Sequence, residues 1–380
     1  FFKVIENNLI NTKGVVSFSL SGGIDSSSTV CTAKKIIKDL KTYSANFSED
    51  DELYKHADEG NYIDSVVKHV SSKHKKFYFS DYDYFEHVDF ASSFEEPIFG
   101  SAIYINRKIL HNACLDGSRF HFEGAFGDEV ISHGYEYLME LGHELNFQEL
   151  FKQEKMLRAN RGMPFSYTQS IKNYCLKSFI PAGIQQFFIK KNISPLENII
   201  KKKYRFSFAK HFEKINGYHP YLKDNSINKN LHSRILAESV LPYGARLYKL
   251  LGERFNIEVM LPFLDKRLMK HCVSIPSRYK LNKGIDRYYF RESQKGIVPS
   301  MNLERETKAD LSPLFIDTLK NQPSNKLIDV ILKKNSYIAN IICKSSLESL
   351  IKEFKIKGDW RIGSTLNRLI ILSTWLGRNA

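Results

Sequence analysis

Ser19-Leu20-Ser21-Gly22-Gly23-Ile24-Asp25-Ser26-Ser27-Ser28 is the stretch of sequence that decides the fold of this chain. A short, β-branched segment from Gly14 to Phe18 precedes it, and apolar residues at helical spacing follow from Thr29 to Leu40. This pattern predicts a strand, a glycine turn and a helix. Two glycines allow a tight turn in which successive backbone N–H groups face one ligand, and the positive end of the helix points to the same place. A phosphate group is therefore the expected occupant.

Asp25 distinguishes this loop from the common phosphate-binding loops. The loop has neither the Gly-x-x-x-x-Gly-Lys-[Ser/Thr] nor the Gly-x-Gly-x-x-Gly spacing. A carboxylate among phosphates indicates a divalent cation between them. The segment from Ser21 to Ser26 resembles the Ser-Gly-Gly-x-Asp-Ser signature of the PP-loop ATP pyrophosphatases, which split ATP between the α- and β-phosphates and hold the released pyrophosphate. The alternative, a serine-rich turn before an ordinary helix, is disfavoured by six matched positions directly after a strand.

The composition sets outer limits on the class of protein. A chain of 380 residues with 42% hydrophobic content can bury a large core in two domains or one enlarged domain. No apolar run reaches the roughly 18 residues that span a bilayer and nothing resembles a signal peptide, so we expect a soluble, cytoplasmic protein. Five scattered cysteines argue against a zinc site and a disulfide framework. The net charge of +14 could attract nucleic acid, but it could equally serve ATP, pyrophosphate or an acidic peptide.

Strand and helix patterns alternate along the first part of the chain. After a lead-in helix at 1–12, strands are predicted at Thr42 to Phe47 and Lys75 to Phe79, with a helix between them. Such alternation indicates an α/β fold with a doubly wound parallel sheet, here of the PP-loop, adenine nucleotide α-hydrolase-like type with a large helical portion. Ala45, near the end of the second strand, is expected beside the ligand crevice. We predict a nucleotide-binding core at 1–140, a helical basic and aromatic insertion at 141–235, and a helical part at 236–380 that completes the active site.

A second glycine loop follows a predicted strand that ends near Glu123. It presents Asp128 and Glu129 at the start of the next helix. Acidic residues there could merely favour the helix dipole. Because the loop follows a strand of the same predicted sheet as Asp25, we prefer the interpretation that these carboxylates hold Mg²⁺ against phosphates.

With this second loop the chain resembles the C-terminal synthetase domain of asparagine synthetases and their relatives, which include β-lactam synthetases and lasso-peptide macrolactam synthetases. The family pattern is roughly Gly-x-Gly-Gly-Asp-Glu closed by Gly-Tyr. Gly124-x-x-Gly127-Asp128-Glu129 keeps most of it, and Gly134-Tyr135 closes it after one extra residue. Asparagine synthetases carry a glutamate where this chain has Ala125. This departure counts against asparagine as the product.

Two later blocks extend the resemblance. Glu258 to Asp265 is similar to Glu-x-Arg-x-Pro-Phe-Leu-Asp, with Met260 in place of the arginine. Arg305-Glu306-Thr307-Lys308 follows a Gly-x-x-Pro turn and resembles the Arg-x-x-Lys element of the family. A loop lysine is usually only solvated, but the order of the blocks makes Lys308 a candidate to stabilise negative charge on an acyl-adenylate and its adduct.

The resemblance implies ATP and Mg²⁺ as cofactors, and a reaction in which a carboxylate is adenylated and then attacked by an amine. It assigns catalytic roles to Lys308 and Glu258 and magnesium ligation to Asp25 and Asp128. It implies contacts to ATP or pyrophosphate at Leu20, Ser21, Gly22, Gly23, Asp25, Ser26, Ala45, Gly124 and Arg305.

Several functions remain open from the sequence. We favour amide synthesis on a peptide or metabolite, of the macrolactam type, with a small-molecule or peptide carboxylate and an amine as substrates. Glutamine-hydrolysing asparagine synthesis is the alternative, and it needs an N-terminal glutaminase-like domain before Phe1. A tRNA-modifying PP-loop enzyme is a further alternative, against which the lack of paired cysteines and the two later blocks both count. A precursor peptide is a possible partner, whereas a nucleic acid or membrane partner is not expected.

Overall fold

A computed structural model describes residues 1–46, 58–78, 82–100, 103–176, 195–208, 232, 235–236, 240–305, 312–332 and 337–379. Within them lies a parallel sheet of five strands in the order β3-β2-β1-β4-β5. The predicted parallel α/β fold is thereby confirmed. The strands are β1 Val15–Ser19, β2 Lys41–Asn46, β3 Lys73–Tyr78, β4 Ser118–Phe122 and β5 Glu258–Met260.

Helices surround the sheet and form most of the remaining described chain. The first eight are α1 Phe2–Asn11, α2 Ile24–Lys34, α3 Gly60–Val70, α4 Tyr84–Ala91, α5 Ile103–Leu115, α6 Gly127–Ile131, α7 Glu136–His143 and α8 Phe147–Asn160. Later α-helices span Tyr167–Ser170, Pro195–Ile199, Val240–Arg254, Lys266–Ser274, Ser277–Lys280, Tyr288–Ser293, Ser300–Leu303, Ser312–Asn321, Ser324–Ile331, Tyr337–Ile341, Lys344–Lys357 and Trp360–Asn379, with a π-helical turn at Ile171–Leu176 and a 3₁₀ turn at Pro262–Leu264.

The strand order places a crevice at the carboxyl ends of β1 and β4. The chain runs outward from β1 to β2 and β3, and then returns to β4 on the other side of β1. Ligands of open α/β sheets bind where the strand order reverses in this way. Both glycine loops follow these two strands, so the topology brings them to one edge of the sheet.

Two apolar cores flank the sheet. Phe18 and Phe122 belong to a core that includes α1, α2 and α3. Tyr43 belongs to a second core, shared with α4, α5 and the C-terminal helices. The last helix is tied to α4 by the Tyr84 hydroxyl, which donates to Asn367 Oδ1 at 3.1 Å. Helices on both faces are what a doubly wound sheet requires.

The structure differs from the predicted helix at 29–40. Helix α2 begins at Ile24, directly after Gly23 at its N-cap, and ends at Lys34. The second half of the glycine loop is therefore the first turn of the helix, and Asp25 lies within that turn. The chain leaves the helix six residues before Leu40 because the N–H of Lys35 closes the last turn on the Thr32 carbonyl.

Other expectations concern the chain as a whole. Among the described helices, none combines the length and apolar character needed to cross a membrane. All five cysteines are free thiols. The described parts of 141–235 are mostly helical, whereas 177–194, 209–231 and 233–234 lie outside the described residues. The three-part division of the chain stays a prediction.

Candidate active site

A cavity of about 730 Å³ opens at the carboxyl ends of β1, β2 and β4. Its lining includes the apolar and aromatic side chains Tyr43, Ile105 and Ile109 together with several charged side chains. Of the residues predicted to contact ATP, pyrophosphate or Mg²⁺, those that line this cavity are Leu20, Ser21, Gly23, Asp25, Ser26, Ala45, Gly124, Asp128 and Arg305.

The first glycine loop is held open by its own serines. Ser21 Oγ lies 3.0 Å from Ser26 Oγ, and the backbone N–H of Ser21 donates to the same Ser26 oxygen at 3.1 Å. Gly22 does not line the cavity, but its φ of +71° permits the turn. A Cβ at Gly22 would lie 2.6 Å from the Tyr62 side chain. The buried Asn302 amide holds the turn from behind, because its Nδ2 donates to the Gly22 carbonyl at 2.9 Å.

The second loop packs directly on the first. A Cβ on Gly124 would lie 2.6 Å from Ser26 N, and one on Gly127 would lie 2.3 Å from Asp25 Cγ. Only glycine allows backbone and side chain to approach so closely. The two glycines therefore fix Asp25 and Asp128 on one side of the cavity.

The Arg287 side chain forms hydrogen bonds with both predicted magnesium ligands, Asp25 and Asp128. Its Nη1 donates to Asp25 Oδ2 at 3.0 Å and to Asp128 Oδ1 at 2.6 Å. Burial lowers the pKa of Arg287, but the charges of Asp25 and Asp128 outweigh burial and raise it above its ordinary value. The sequence analysis did not assign a role to Arg287, which lies 262 positions after Asp25.

The donor set of these two carboxylates fits Mg²⁺ bound together with phosphates. Magnesium is usually held by one or two carboxylates and completes its shell with water and phosphate oxygens. Within the described part of the chain, no group of three or more His, Cys, Asp or Glu side chains could hold a metal alone. Arg287 already places positive charge between Asp25 and Asp128, so the site is built for a cation.

Asp286, another residue that lines the cavity, contacts three basic side chains. Its carboxylate contacts His133 Nδ1 and Arg161 Nη2, each at 2.8 Å, and Arg291 Nη2 at 3.3 Å. Burial raises the pKa of Asp286, but the hydrogen bond from His133 and the charges of Arg287 and Arg291 outweigh it, so this pKa lies well below its ordinary value. Asp286 thus holds Arg161, which comes from the end of α8, against the cavity.

Arg305 also lines the cavity. Its Nη2 pairs with Glu59 Oε1 at 2.8 Å, and its guanidinium lies 4.3 Å from the centre of the Tyr62 ring. Its Nε and Nη1 have no hydrogen-bond partner among the described residues. These nitrogens are suited to phosphate oxygens. The other predicted member of this block, Lys308, lies outside the described residues.

Glu258 is not brought to the cavity. It is exposed at the amino-terminal end of β5, whereas the cavity lies at the carboxyl ends of the strands. The predicted catalytic role for Glu258 conflicts with this placement. The rest of its block is structural: Phe263 is fully buried, and the Asp265 carboxylate caps the helix at Lys266–Ser274 by accepting from Arg267 N at 2.8 Å.

Sequence reasoning also missed Glu123 and Tyr248 as cavity residues. Both line the cavity, as does Asn106. Glu123 follows β4 directly, so its position after a strand of the sheet was a usable signal. Tyr248 lies in a helix without a motif, and nothing in the sequence indicated it.

The fold is a parallel α/β fold of the PP-loop type, with both glycine loops at one cavity. Residues 7–377 match the family model described as asparagine synthase, so the chain belongs to the asparagine synthase family. The chain is similar to "Asparagine synthetase [glutamine-hydrolyzing] 3" of Bacillus subtilis (strain 168), with 22% identity over 367 residues that cover 93% of this chain and 53% of that protein. The chain thus spans about half the length of this curated relative.

Proposed function

We propose that this chain is an ATP-dependent amide synthetase that releases AMP and pyrophosphate. The observation that carries the proposal is the convergence of both glycine loops on one cavity, where Asp25 and Asp128 lie within hydrogen-bond distance of one Arg287 nitrogen. A carboxylate pair beside a phosphate-binding loop suits attack on the α-phosphorus, and the family match supports amide synthesis.

In the first half of the proposed reaction, a substrate carboxylate attacks the α-phosphorus and pyrophosphate leaves. The backbone of Ser21 to Ser26 and the free nitrogens of Arg305 bind the leaving phosphates. Asp25 and Asp128 would hold Mg²⁺, whose chemistry is to neutralise phosphate charge and so assist the departure of pyrophosphate. Arg287 orients both carboxylates.

In the second half, an amine attacks the carbonyl of the acyl-adenylate and AMP leaves. We propose that Lys308 stabilises the negative charge that develops on the adduct, since a positioned cation is among the larger catalytic contributions. Much of the remaining rate must come from holding amine and acyl-adenylate together away from water.

The residues that line the cavity also bear on which carboxylic acid is activated. Asn160, Arg161 and Met163, from the segment predicted as an insertion, line the cavity, and Ala125 lines it where asparagine synthetases have glutamate. These features support a peptide or metabolite substrate of the macrolactam type. The Bacillus subtilis relative supports the second candidate, amide formation on free aspartate with ammonia drawn from glutamine.

Product analysis tests the proposal. The chain is incubated with ATP, MgCl₂ and either L-aspartate with ammonium chloride or a peptide with N-terminal glycine and an internal aspartate. AMP and pyrophosphate are expected, together with asparagine or with a peptide that has lost one water molecule. Release of ADP and phosphate contradicts the proposal.

Asp25→Asn should abolish formation of AMP, because it removes a carboxylate that faces the phosphates. Asp64→Asn is the matched control, since the Asp64 side chain is 64% exposed and pairs with Lys76 on the surface. Near-normal AMP formation by Asp25→Asn removes Asp25 from the mechanism.

A further inference from the structure

Four side chains form a buried row beneath the cavity. Ser17 Oγ lies 2.8 Å from His121 Nδ1, and Ser19 Oγ lies 2.9 Å from His121 Nε2. Ser19 Oγ also lies 2.5 Å from Glu123 Oε1. His121 is fully buried, while Glu123 is 7% exposed and lines the cavity. The row therefore leads from the interior of the sheet to the cavity.

Hydrogen bonds hold the Glu123 carboxylate from this row. The Ser19 hydroxyl donates to Glu123 Oε1, and its oxygen lies 2.9 Å from His121 Nε2. Ser17 lies at the other ring nitrogen, with its hydroxyl 3.3 Å from the Phe120 carbonyl. Glu123 is thus fixed in position by Ser19, which His121 in turn contacts.

Glu123 differs from the other carboxylates of the cavity in its partners. Asp25 and Asp128 pair with Arg287, Glu59 pairs with Arg305, and three basic side chains contact Asp286. In the part of the chain that the structure describes, no lysine or arginine forms an ion pair with Glu123. A carboxylate without a cation is the better proton acceptor.

The titratable groups that face Glu123 do not replace a cation. His121 faces it from β4, and Tyr248 faces it from the helix at Val240–Arg254. Burial and the charge of Glu123 raise the pKa of Tyr248 well above its ordinary value, so this phenol stays neutral. The β1 and β5 sides contribute the Ser19 hydroxyl and the Met260 carbonyl, which accepts from Glu123 N at 3.0 Å.

We propose that Glu123 is the catalytic base for amide formation, and that Ser19 and His121 are positioning residues that hold its carboxylate. The inference rests on the proposed amide synthetase activity. The amine nitrogen forms the C–N bond, the C–O bond to AMP breaks with its electron pair, and the amine proton moves to Glu123. The products are the amide, AMP and a protonated Glu123 that later releases its proton to solvent.

Glu123→Gln tests the inference, because it keeps the shape of the side chain and an acceptor for Ser19 but cannot take a proton. Two reactions are measured on the full chain, with L-aspartate or the glycine-aspartate peptide as the acid. Exchange of labelled pyrophosphate into ATP reports acid activation, and amide formation, with ammonium chloride as the amine for aspartate, reports the second half. The exposed Glu144→Gln is the matched control.

We expect Glu123→Gln to affect amide formation and to leave acid activation nearly unchanged. Pyrophosphate exchange and KM for ATP stay within about threefold of the unmodified chain, which also shows that the variant folds. Amide formation falls by about 10²-fold or more, the usual contribution of a general base.

The contrary outcomes are distinct. Equal loss of exchange and amide formation, or a raised KM for ATP with unchanged kcat, overturns the inference and assigns Glu123 to nucleotide binding. Unchanged amide formation overturns it as well. If the unmodified chain shows no exchange with either acid, the proposed function itself fails and the inference fails with it.

Discussion

At the scale of single residues, Gly124 allows the two glycine loops to approach each other closely. An alanine Cβ there would lie 2.6 Å from Ser26 N and 2.7 Å from Ser26 Cα. Both are backbone atoms, so the loops must separate. We expect Gly124→Ala to reduce the free energy of unfolding by about 1–3 kcal/mol, as for an overpacked core. Pyrophosphate exchange should decrease more than stability accounts for, because Asp25 and Asp128 move apart.

Urea unfolding and exchange kinetics check this prediction. Gly100→Ala is the matched control, because its Cβ would meet Ile103 only at an ordinary 3.6 Å. If Gly124→Ala exchanges as fast as Gly100→Ala, close approach of the loops is not needed for catalysis.

Arg305 gives a second prediction at this scale. Its guanidinium combines an ion pair with Glu59 and unpaired nitrogens beside the phosphate loop. Lysine keeps the charge but loses the planar fork that binds two oxygens at once. We expect Arg305→Lys to raise KM for ATP about tenfold to a hundredfold, the effect of losing a charged hydrogen bond of roughly 1.5–3 kcal/mol. An unchanged KM in steady-state exchange assays means that Arg305 serves the fold through Glu59 and Tyr62 alone.

At the scale of an element, α4 carries a buried histidine that makes stability depend on pH. His87 is 1% exposed, and neither ring nitrogen has a hydrogen-bond partner among the described residues. Burial, with a smaller contribution from Arg107, lowers the pKa of His87 from 6.5 to about 4. The unfolded chain therefore binds this proton more readily, and stability is lost as pH falls from 6.5 towards 4.

His87→Phe isolates this contribution, because the other titratable groups remain in both proteins. Between about pH 7.5 and about pH 5, the stability of the unmodified chain should fall relative to the variant by about 2 kcal/mol. Urea unfolding at both pH values measures the change. A constant difference between the two proteins shows that His87 has the same proton affinity in the folded and unfolded chain.

Helices and strands that depend on short stretches of sequence could be predicted, and those that depend on tertiary pairing could not. The strand, turn and helix around Ser21 to Ser26 could be predicted, because the glycines of the turn and the apolar spacing of its neighbours are close together in the sequence. The predicted β2 and β3 were found at Lys41–Asn46 and Lys73–Tyr78. Glu258 was misplaced because a motif gives the residue but not the end of the strand on which it stands. The direction of β5 depends on its pairing with β4, which is a tertiary property.

At the scale of the whole molecule, the cavity joins segments that are far apart in sequence. Asp25 and Asp128 come from glycine loops that their motifs reveal. Arg287 is separated from them by 262 and 159 positions, and no local pattern predicts that its guanidinium joins both. The charge network of Asp286 likewise exists only once α8 and the later helices have packed. The two glycine loops were therefore predictable, and the side chains that contact their carboxylates were not.

A site assembled in this way binds ligand only in the folded chain, so binding must stabilise the fold. We expect ATP with MgCl₂ at a hundred times its Kd to raise the free energy of unfolding by about 2.7 kcal/mol. With EDTA in place of MgCl₂ the increase should be smaller, because Asp25 and Asp128 then face the phosphates without a cation. In Asp25→Asn the difference between the two conditions should shrink, while Asp64→Asn should behave as the unmodified chain. Thermal unfolding followed by circular dichroism measures the stabilisation of all three proteins in both conditions. Equal stabilisation with and without magnesium in the unmodified chain would show that Arg287 alone balances these carboxylates, and Asp25 and Asp128 would no longer be candidates for metal ligands.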